Sequence, residues 1–88
     1  KKVETIRLRI SSSQMPYVKT RPIHGSQKIL EEHEDYSIIE IQVYDTYELK
    51  SIILSFGEKI EVLSPESLRV EVAGIASQMN EKYNPTTK

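Results

Sequence analysis

Four stretches of the chain are predicted to form β-strands, because apolar and polar residues alternate along them or β-forming residues are enriched. They are residues 5–10, 27–33, 36–44 and a short stretch around 60–62. The second is weakly patterned and acidic towards its end, which is typical of an edge strand, whereas the third predicts a central strand. The residues predicted to point into the core are Ile6, Leu8, Ile10, Ile39, Ile41 and Val43.

Helix signals separate these strands. Residues 15–21 predict a short helix that the serines at 11–13 would cap, with Pro16 in its first turn and Pro22 at its end.

A second helix is predicted after the third strand, where Asp45 is a candidate N-cap and Glu48 completes a capping box. Gly57 can adopt the left-handed conformation that ends a helix. The apolar stripe of this helix consists of Leu49, Ile52, Ile53 and Phe56.

The last predicted helix extends from Pro65 to Tyr83, with Ser64 as its cap. It carries its own apolar stripe, which must be buried on the open face of the sheet, on the sheet edge or against a second copy, and we expect pairing with a second copy. The stripe consists of Leu68, Val72, Ile75, Ala76, Met79 and Tyr83.

The order strand, helix, strand, strand, helix, strand indicates an α+β fold. Two right-handed crossovers around a hairpin at residues 34–35 predict a ferredoxin-like βαββαβ sandwich, with an antiparallel sheet in order 4-1-3-2 and an added C-terminal helix. We expect residues 1–84 to form a single domain and residues 85–88 to be a flexible tail. Because the first residue is Lys1, we expect the chain to be part of a longer protein.

The composition argues against several classes of protein. The 12 basic and 13 acidic residues give a formal net charge of −1, without the positive field that attracts phosphate backbones. The sequence has no cysteine, which removes thiolate catalysis and Cys-based zinc sites and fits a cytoplasmic protein. No apolar stretch approaches the roughly 20 residues that span a bilayer, so no membrane contact is expected.

No residue pattern points to catalysis or to a metal. His24 and His33 lack the tight spacing of a zinc pair, and the acids at residues 31–35 lack a calcium-loop pattern. No serine lies in a Gly-x-Ser-x-Gly elbow, and the glycines are too scattered for a phosphate-binding loop. We therefore expect a protein that is not an enzyme and has no cofactor.

Arg7 and Arg9 would lie on the open face of the predicted sheet, near Glu40 and Gln42. Cross-strand pairing of arginine with glutamate is the favoured interpretation. The alternative is that one arginine binds an anion or an acidic partner, so both are candidate contact residues.

Five segments together resemble a known family. They include the Ile-Arg-Leu-Arg strand and the turn Pro-Ile-His-Gly-Ser-Gln, and they lie at residues 6–9, 17–19, 22–27, 48–49 and 55–69. In this order and spacing they resemble the C-terminal extension, or WCX domain, of bacterial WYL-domain helix-turn-helix transcriptional regulators. In the turn, the resemblance makes His24, Ser26 and Gln27 the best site candidates, with organisation of the turn as the alternative.

The resemblance implies a C-terminal regulatory and dimerisation module that acts in transcription regulation, contacts a WYL domain and contributes to effector sensing. It implies that DNA binds only through a helix-turn-helix domain outside this chain. A homodimer is expected, and the candidate dimer or interdomain contacts are Leu68, Val72, Ile75, Met79 and Tyr83. The alternative function is a stand-alone, ACT-like domain that binds a small molecule.

Overall fold

The structure, a computed structural model, describes residues 2–84, and the predicted tail at 85–88 lies outside the described residues. The elements follow the predicted order. They are β1 (Glu4–Ser11), α1 (Met15–Thr20), β2 (Lys28–Glu32), β3 (Tyr36–Val43), α2 (Tyr47–Ser55), a 3-10 turn (Gly57–Lys59), β4 (Ile60–Ser64) and α3 (Glu66–Tyr83).

The four strands form one antiparallel sheet in the order β2-β3-β1-β4. This is the predicted order 4-1-3-2 counted from the opposite edge. The central strands pair along their whole length, from Glu4 opposite Val43 to Ser11 opposite Tyr36. The edge strand β2 is exposed throughout, and its pairing with β3 is interrupted by a bulge, a feature that discourages pairing with another sheet.

The core lies on one face of the sheet, as the alternation predicted. The inward side chains of β1 and β3 pack against apolar residues of all three helices and β4, and side chains at alternate positions of β1 are exposed. The core residues are Ile6, Leu8, Ile10, Met15, Val18, Ile39, Ile41, Val43, Leu49, Ile53, Val62 and Leu68.

The helix α3 is attached at the β4 edge of the sheet. Arg69 Nη1 donates to the Val62 carbonyl at 2.7 Å and to Glu61 Oε2 at 2.9 Å. On its other side, Lys50 Nζ of α2 donates to Glu71 Oε2 at 3.0 Å. These contacts fix the first turns of α3 between β4 and α2.

The exposure of the α3 stripe rises along the helix. Leu68 is 2% exposed in the core, and Val72 is partly buried against it. Met79 is 48% exposed and Tyr83 is 81% exposed. The C-terminal turns of α3 therefore project beyond the part of the helix that packs on the sheet.

The predicted helix caps are wrong in detail. The carbonyls of Ser11 and Ser12, rather than serine hydroxyls, accept from N–H groups at the start of α1, where Gln14 is the N-cap. Asp45 Oδ1 accepts from the Tyr47 N–H at 3.0 Å, but Thr46 occupies the N-cap position of α2. Local sequence cannot distinguish these neighbouring donors and acceptors, because each satisfies the same free backbone groups.

The predicted cap of α3 is also displaced by one residue. Ser64 pairs with Arg7 of β1 as the last residue of β4, so Pro65 is the N-cap and the helix begins at Glu66. Pairing of the strand backbone thus overrides the local capping preference of serine.

We predict that Gly57→Ala lowers the free energy of unfolding by about 1 kcal/mol, because Gly57 has a φ of 63° that L-residues rarely adopt. An added Cβ would meet no atom within 4 Å, so the cost comes from the backbone alone. Urea denaturation of the variant measures it.

Gly74→Ala is the matched control for this change. Its added Cβ also meets no atom within 4 Å, but Gly74 lies inside α3, where alanine is favoured over glycine by up to about 1 kcal/mol. We expect this variant to be at least as stable as the original chain. Equal effects of the two substitutions would contradict the account of Gly57.

Candidate functional site

The turn before β2 is held together by the three side chains that the sequence singled out. Ser26 Oγ accepts from the Gln42 N–H at 2.7 Å. Because Lys28 lies opposite Glu40 in the β2–β3 ladder, Ser26 stands opposite Gln42. Its hydroxyl replaces the backbone carbonyl that a longer β2 would supply.

The hydrogen bonds of His24 define which ring nitrogen carries the proton. His24 Nδ1 lies 3.1 Å from the Ser26 N–H donor and 2.8 Å from Ser26 Oγ. Since the backbone N–H can only donate, Nδ1 must accept, and the proton of the neutral ring lies on Nε2. The Ser26 hydroxyl accepts from the Gln42 N–H, and its own proton has two acceptors within reach, His24 Nδ1 at 2.8 Å and the Gln42 carbonyl at 3.2 Å.

The Gln27 side chain ties the same turn to α1. Its Oε1 accepts from the Ile23 N–H at 2.9 Å, and its Nε2 donates to the Val18 carbonyl at 3.2 Å. Both ends of the amide are therefore used within the chain. Ser26 and Gln27 have structural roles in the fold, which supports the interpretation that these residues organise the turn.

Only His24 of these three lines a cleft. The cleft has a volume of about 320 Å³ and lies between the turn, the end of β3 and α2. Its walls combine apolar side chains with a histidine, an aromatic ring and two carboxylates near the start of α2. The lining residues are Ile23, His24, Val43, Tyr44, Asp45, Glu48, Leu49 and Ile52.

The sequence pattern does not predict this cleft. It favours Asp45 and Glu48 as capping residues and Ile52 as part of a buried stripe, but Ile52 is 38% exposed at the cleft. The one sequence signal for the cleft is that the apolar stripe of α2 is wider than the sheet can cover.

Arg7 and Arg9 lie on the opposite, open face of the sheet, so the structure does not bring them together with His24. The expected pairing of Arg7 with Glu40 is confirmed: Arg7 Nε donates to Glu40 Oε2 at 3.1 Å. Arg9 has a different environment. Its guanidinium lies 4.3 Å from the centre of the Tyr36 ring and 3.9 Å from Glu61 Oε1.

The contacts of Arg9 continue across the open face in both directions. Glu61 also accepts from Arg69 of α3 at 2.9 Å. On the other side, the ring centres of Tyr36 and His33 are 4.6 Å apart, and His33 Nε2 lies 2.7 Å from Glu31 Oε1. Each exposed contact contributes at most about 1 kcal/mol, but together they engage the arginines that were candidates for anion binding.

The described chain shows neither a metal-binding cluster nor a membrane-spanning helix. Among residues 2–84, no three or more histidine, cysteine, aspartate or glutamate side chains are grouped so that they could hold a metal ion. No helix in the same range is long and apolar enough to cross a bilayer.

We predict that Ser26→Ala lowers the free energy of unfolding by about 1 kcal/mol, the usual contribution of an intramolecular hydrogen bond, because the Gln42 N–H and His24 Nδ1 both lose a partner. Ser51→Ala, at an exposed position in α2, is the matched control and should leave the stability unchanged or slightly higher. Thermal denaturation of both variants checks this. An unchanged midpoint for Ser26→Ala would mean that the hydroxyl does not hold the turn.

Comparison with known proteins places the chain in a family. No curated protein is significantly similar to it. The WCX domain family matches residues 2–79, which include all four strands of the sheet, α1, α2 and most of α3. The match agrees with the resemblance of the turn and of the segment from Ser55 to Arg69. The chain therefore belongs to the WCX domain family, which points to a regulatory module of WYL-type regulators.

Proposed function

We propose that this chain is a non-enzymatic, C-terminal regulatory module of a bacterial WYL-type transcriptional regulator. It acts by self-association and by contact with the WYL domain. Membership of the WCX domain family supports the regulatory role. The observation that carries the proposal is the apolar stripe of α3, which begins in the core at Leu68 and continues into solvent as far as Tyr83.

The distribution of exposed apolar residues supports a module that binds other protein surfaces. Met79 and Tyr83 on α3 are exposed, and so are Tyr44 and Tyr47 near the start of α2. Aromatic residues and methionine are enriched in the centres of protein interfaces. The open sheet face carries paired charges instead, so we place the interdomain contacts on the helical side and on α3.

We further propose that this module contributes to effector sensing through the cleft at His24 rather than through the arginines. His24 Nε2–H is a donor at the rim of a cleft that also contains two carboxylates. Arg7 and Arg9 are occupied by Glu40, Glu61 and Tyr36.

We assign the fold to the ferredoxin-like class. The βαββαβ order of the first six main elements, the antiparallel sheet and the strand order β2-β3-β1-β4 support this assignment. The helix α3 is an addition to that core, in keeping with a role in contacts outside it.

The reading frame that contains this segment tests the proposed function. We expect the reading frame that contains this segment to encode a helix-turn-helix domain and a WYL domain upstream of it. A reading frame that lacks both would overturn the proposal and favour the stand-alone, ACT-like alternative.

We predict that the purified chain binds duplex DNA no better than a neutral protein does, because its net charge is −1 and both arginines of the open face are engaged. Fluorescence anisotropy with labelled duplexes of unrelated sequence measures this. The parent regulator, if it has the expected helix-turn-helix domain, is the positive control. Salt-dependent binding by the chain alone at submicromolar concentration would contradict the prediction.

A further inference from the structure

The side chains around the cleft at His24 define the class of molecule that it can hold. We propose that this cleft binds a small organic cation, in which a protonated amine is attached to an apolar body. The inference rests on the sensing role proposed for the cleft and specifies the chemical class of its ligand.

The first argument is the charge of the cleft. Its lining includes two carboxylates, Asp45 and Glu48, but neither lysine nor arginine. Among residues 2–84, neither carboxylate forms an ion pair. A carboxylate can only accept hydrogen bonds, and it bonds most strongly to a donor that carries a positive charge. The uncompensated negative charge of the lining therefore favours a cationic ligand over a neutral or an anionic one.

The second argument is that the start of α2 uses only one of the four carboxylate oxygens. The capping box that the sequence predicts does not form, because Thr46 is the N-cap and makes no side-chain cap bond. Asp45 Oδ1 accepts from the Tyr47 N–H. Within the described chain, no hydrogen bond reaches Asp45 Oδ2 or either oxygen of Glu48. These three acceptors are available to a donor on a ligand.

The alternative is that Glu48 serves the helix alone. An acidic side chain in the first turn interacts favourably with the positive end of the helix dipole, and this interaction needs no ligand. Glu66 lies in the first turn of α3 and does not line the cleft. It therefore provides a control that separates a role in the helix from a role in binding.

The third argument is the apolar part of the wall. Val43 and Leu49 line the cleft and are each 5% exposed, and Ile52 beside them is 38% exposed. An apolar body on the ligand would remove this surface from water. The ring of Tyr44, which is 65% exposed, offers an aromatic face that attracts an ammonium group. An amine with an apolar body therefore uses both kinds of side chain in the cleft.

A metal ion does not fit the same lining. His24, Asp45 and Glu48 all line the cleft, but no three metal-binding side chains among residues 2–84 are grouped closely enough to hold an ion. A metal ion would also leave the apolar wall unused. The cationic group that fits is therefore one carried by an organic molecule.

The size of the cleft indicates a small ligand with modest affinity. Its volume of about 320 Å³ is near the lower end of the roughly 300–1,000 Å³ of small-molecule sites. Both carboxylates are exposed, so their contact with an ammonium group should strengthen binding by only about threefold to tenfold. For ligands of this size we expect dissociation constants of about 1 mM.

NMR titration of the isotope-labelled full chain with matched probes tests the class of ligand. Phenethylamine, phenethyl alcohol and phenylacetate share one aromatic skeleton, and hexylamine, hexanol and hexanoate share one linear skeleton. We expect both amines to shift the backbone amide signals of residues around the cleft. Each amine should bind at least about threefold more tightly than its alcohol, and the two carboxylates should bind most weakly.

Substitution of Glu48 tests the carboxylate. Glu48→Gln removes the charge and keeps the shape of the side chain, so it should weaken amine binding by about threefold and leave alcohol binding unchanged. Glu66→Gln removes the same charge from the first turn of α3 and should change neither. Circular dichroism melts establish that both variants fold, since neither residue belongs to the core.

Substitution of Ile52 tests the apolar wall. Ile52→Ala should weaken the binding of each amine and its alcohol by the same factor, because both lose the same apolar contact. Val70→Ala is the matched control, since Val70 is 58% exposed on α3 and does not line the cleft. It should leave the binding of every probe unchanged.

The outcomes separate the class of ligand from the proposed function. Equal binding of amine and alcohol, or tightest binding of the carboxylates, would overturn the cationic class and leave the cleft as a binding site. Equal effects of Glu48→Gln and Glu66→Gln on amine binding would also overturn it. No shift at the cleft with either amine at about 10 mM would overturn the whole inference. The regulatory role would fail only if the reading frame encoded no helix-turn-helix and WYL domains.

Discussion

The pairing of β1 with β3 is the constraint on which the rest of this structure depends. Their antiparallel register aligns the inward positions of both strands on one face, and Ile6 stands directly opposite Ile41. These side chains are fully buried, and the hydrophobic free energy of such residues is about 1.5–3 kcal/mol each. A shift of one residue would turn them to the solvent face. The helices and β4 then attach to the apolar surface that this pairing creates.

The polar side of the sheet follows from the same register. Arg7 stands opposite Glu40 and bonds to it, and Arg9 reaches Tyr36 diagonally and Glu61 on β4. The exposed arginines of this face therefore have acidic partners on neighbouring strands. The cleft at His24 and α3 are the surfaces that we propose for contacts. This division supports a module that communicates through its helices.

The helix α3 connects the fold to the proposed function. Its first turns belong to the domain through Leu68 and the two ion pairs of Arg69 and Glu71. Its last turns carry the same apolar stripe without a partner from the described residues, as the exposure of Met79 and Tyr83 shows. The anchored first turns fix the direction in which the exposed last turns leave the sheet. Such an element suits a domain that links subunits or domains of a regulator.

The amino-acid sequence by itself determined the elements, their order and the core positions of β1 and β3, because the alternation in β1 and β3 and the helical spacing in α2 and α3 depend only on residues near one another in the chain. The left-handed Gly57 and the pairing of Arg7 with Glu40 were also predictable. The turn of His24, Ser26 and Gln27 was singled out, but its role was left open between a ligand site and a structural turn. Only the tertiary structure decided that Ser26 bonds to Gln42, that Arg9 lies against Tyr36, and that α3 leaves Met79 exposed. These contacts join residues distant in sequence, and their partners depend on strand register and helix placement, which local periodicity does not encode.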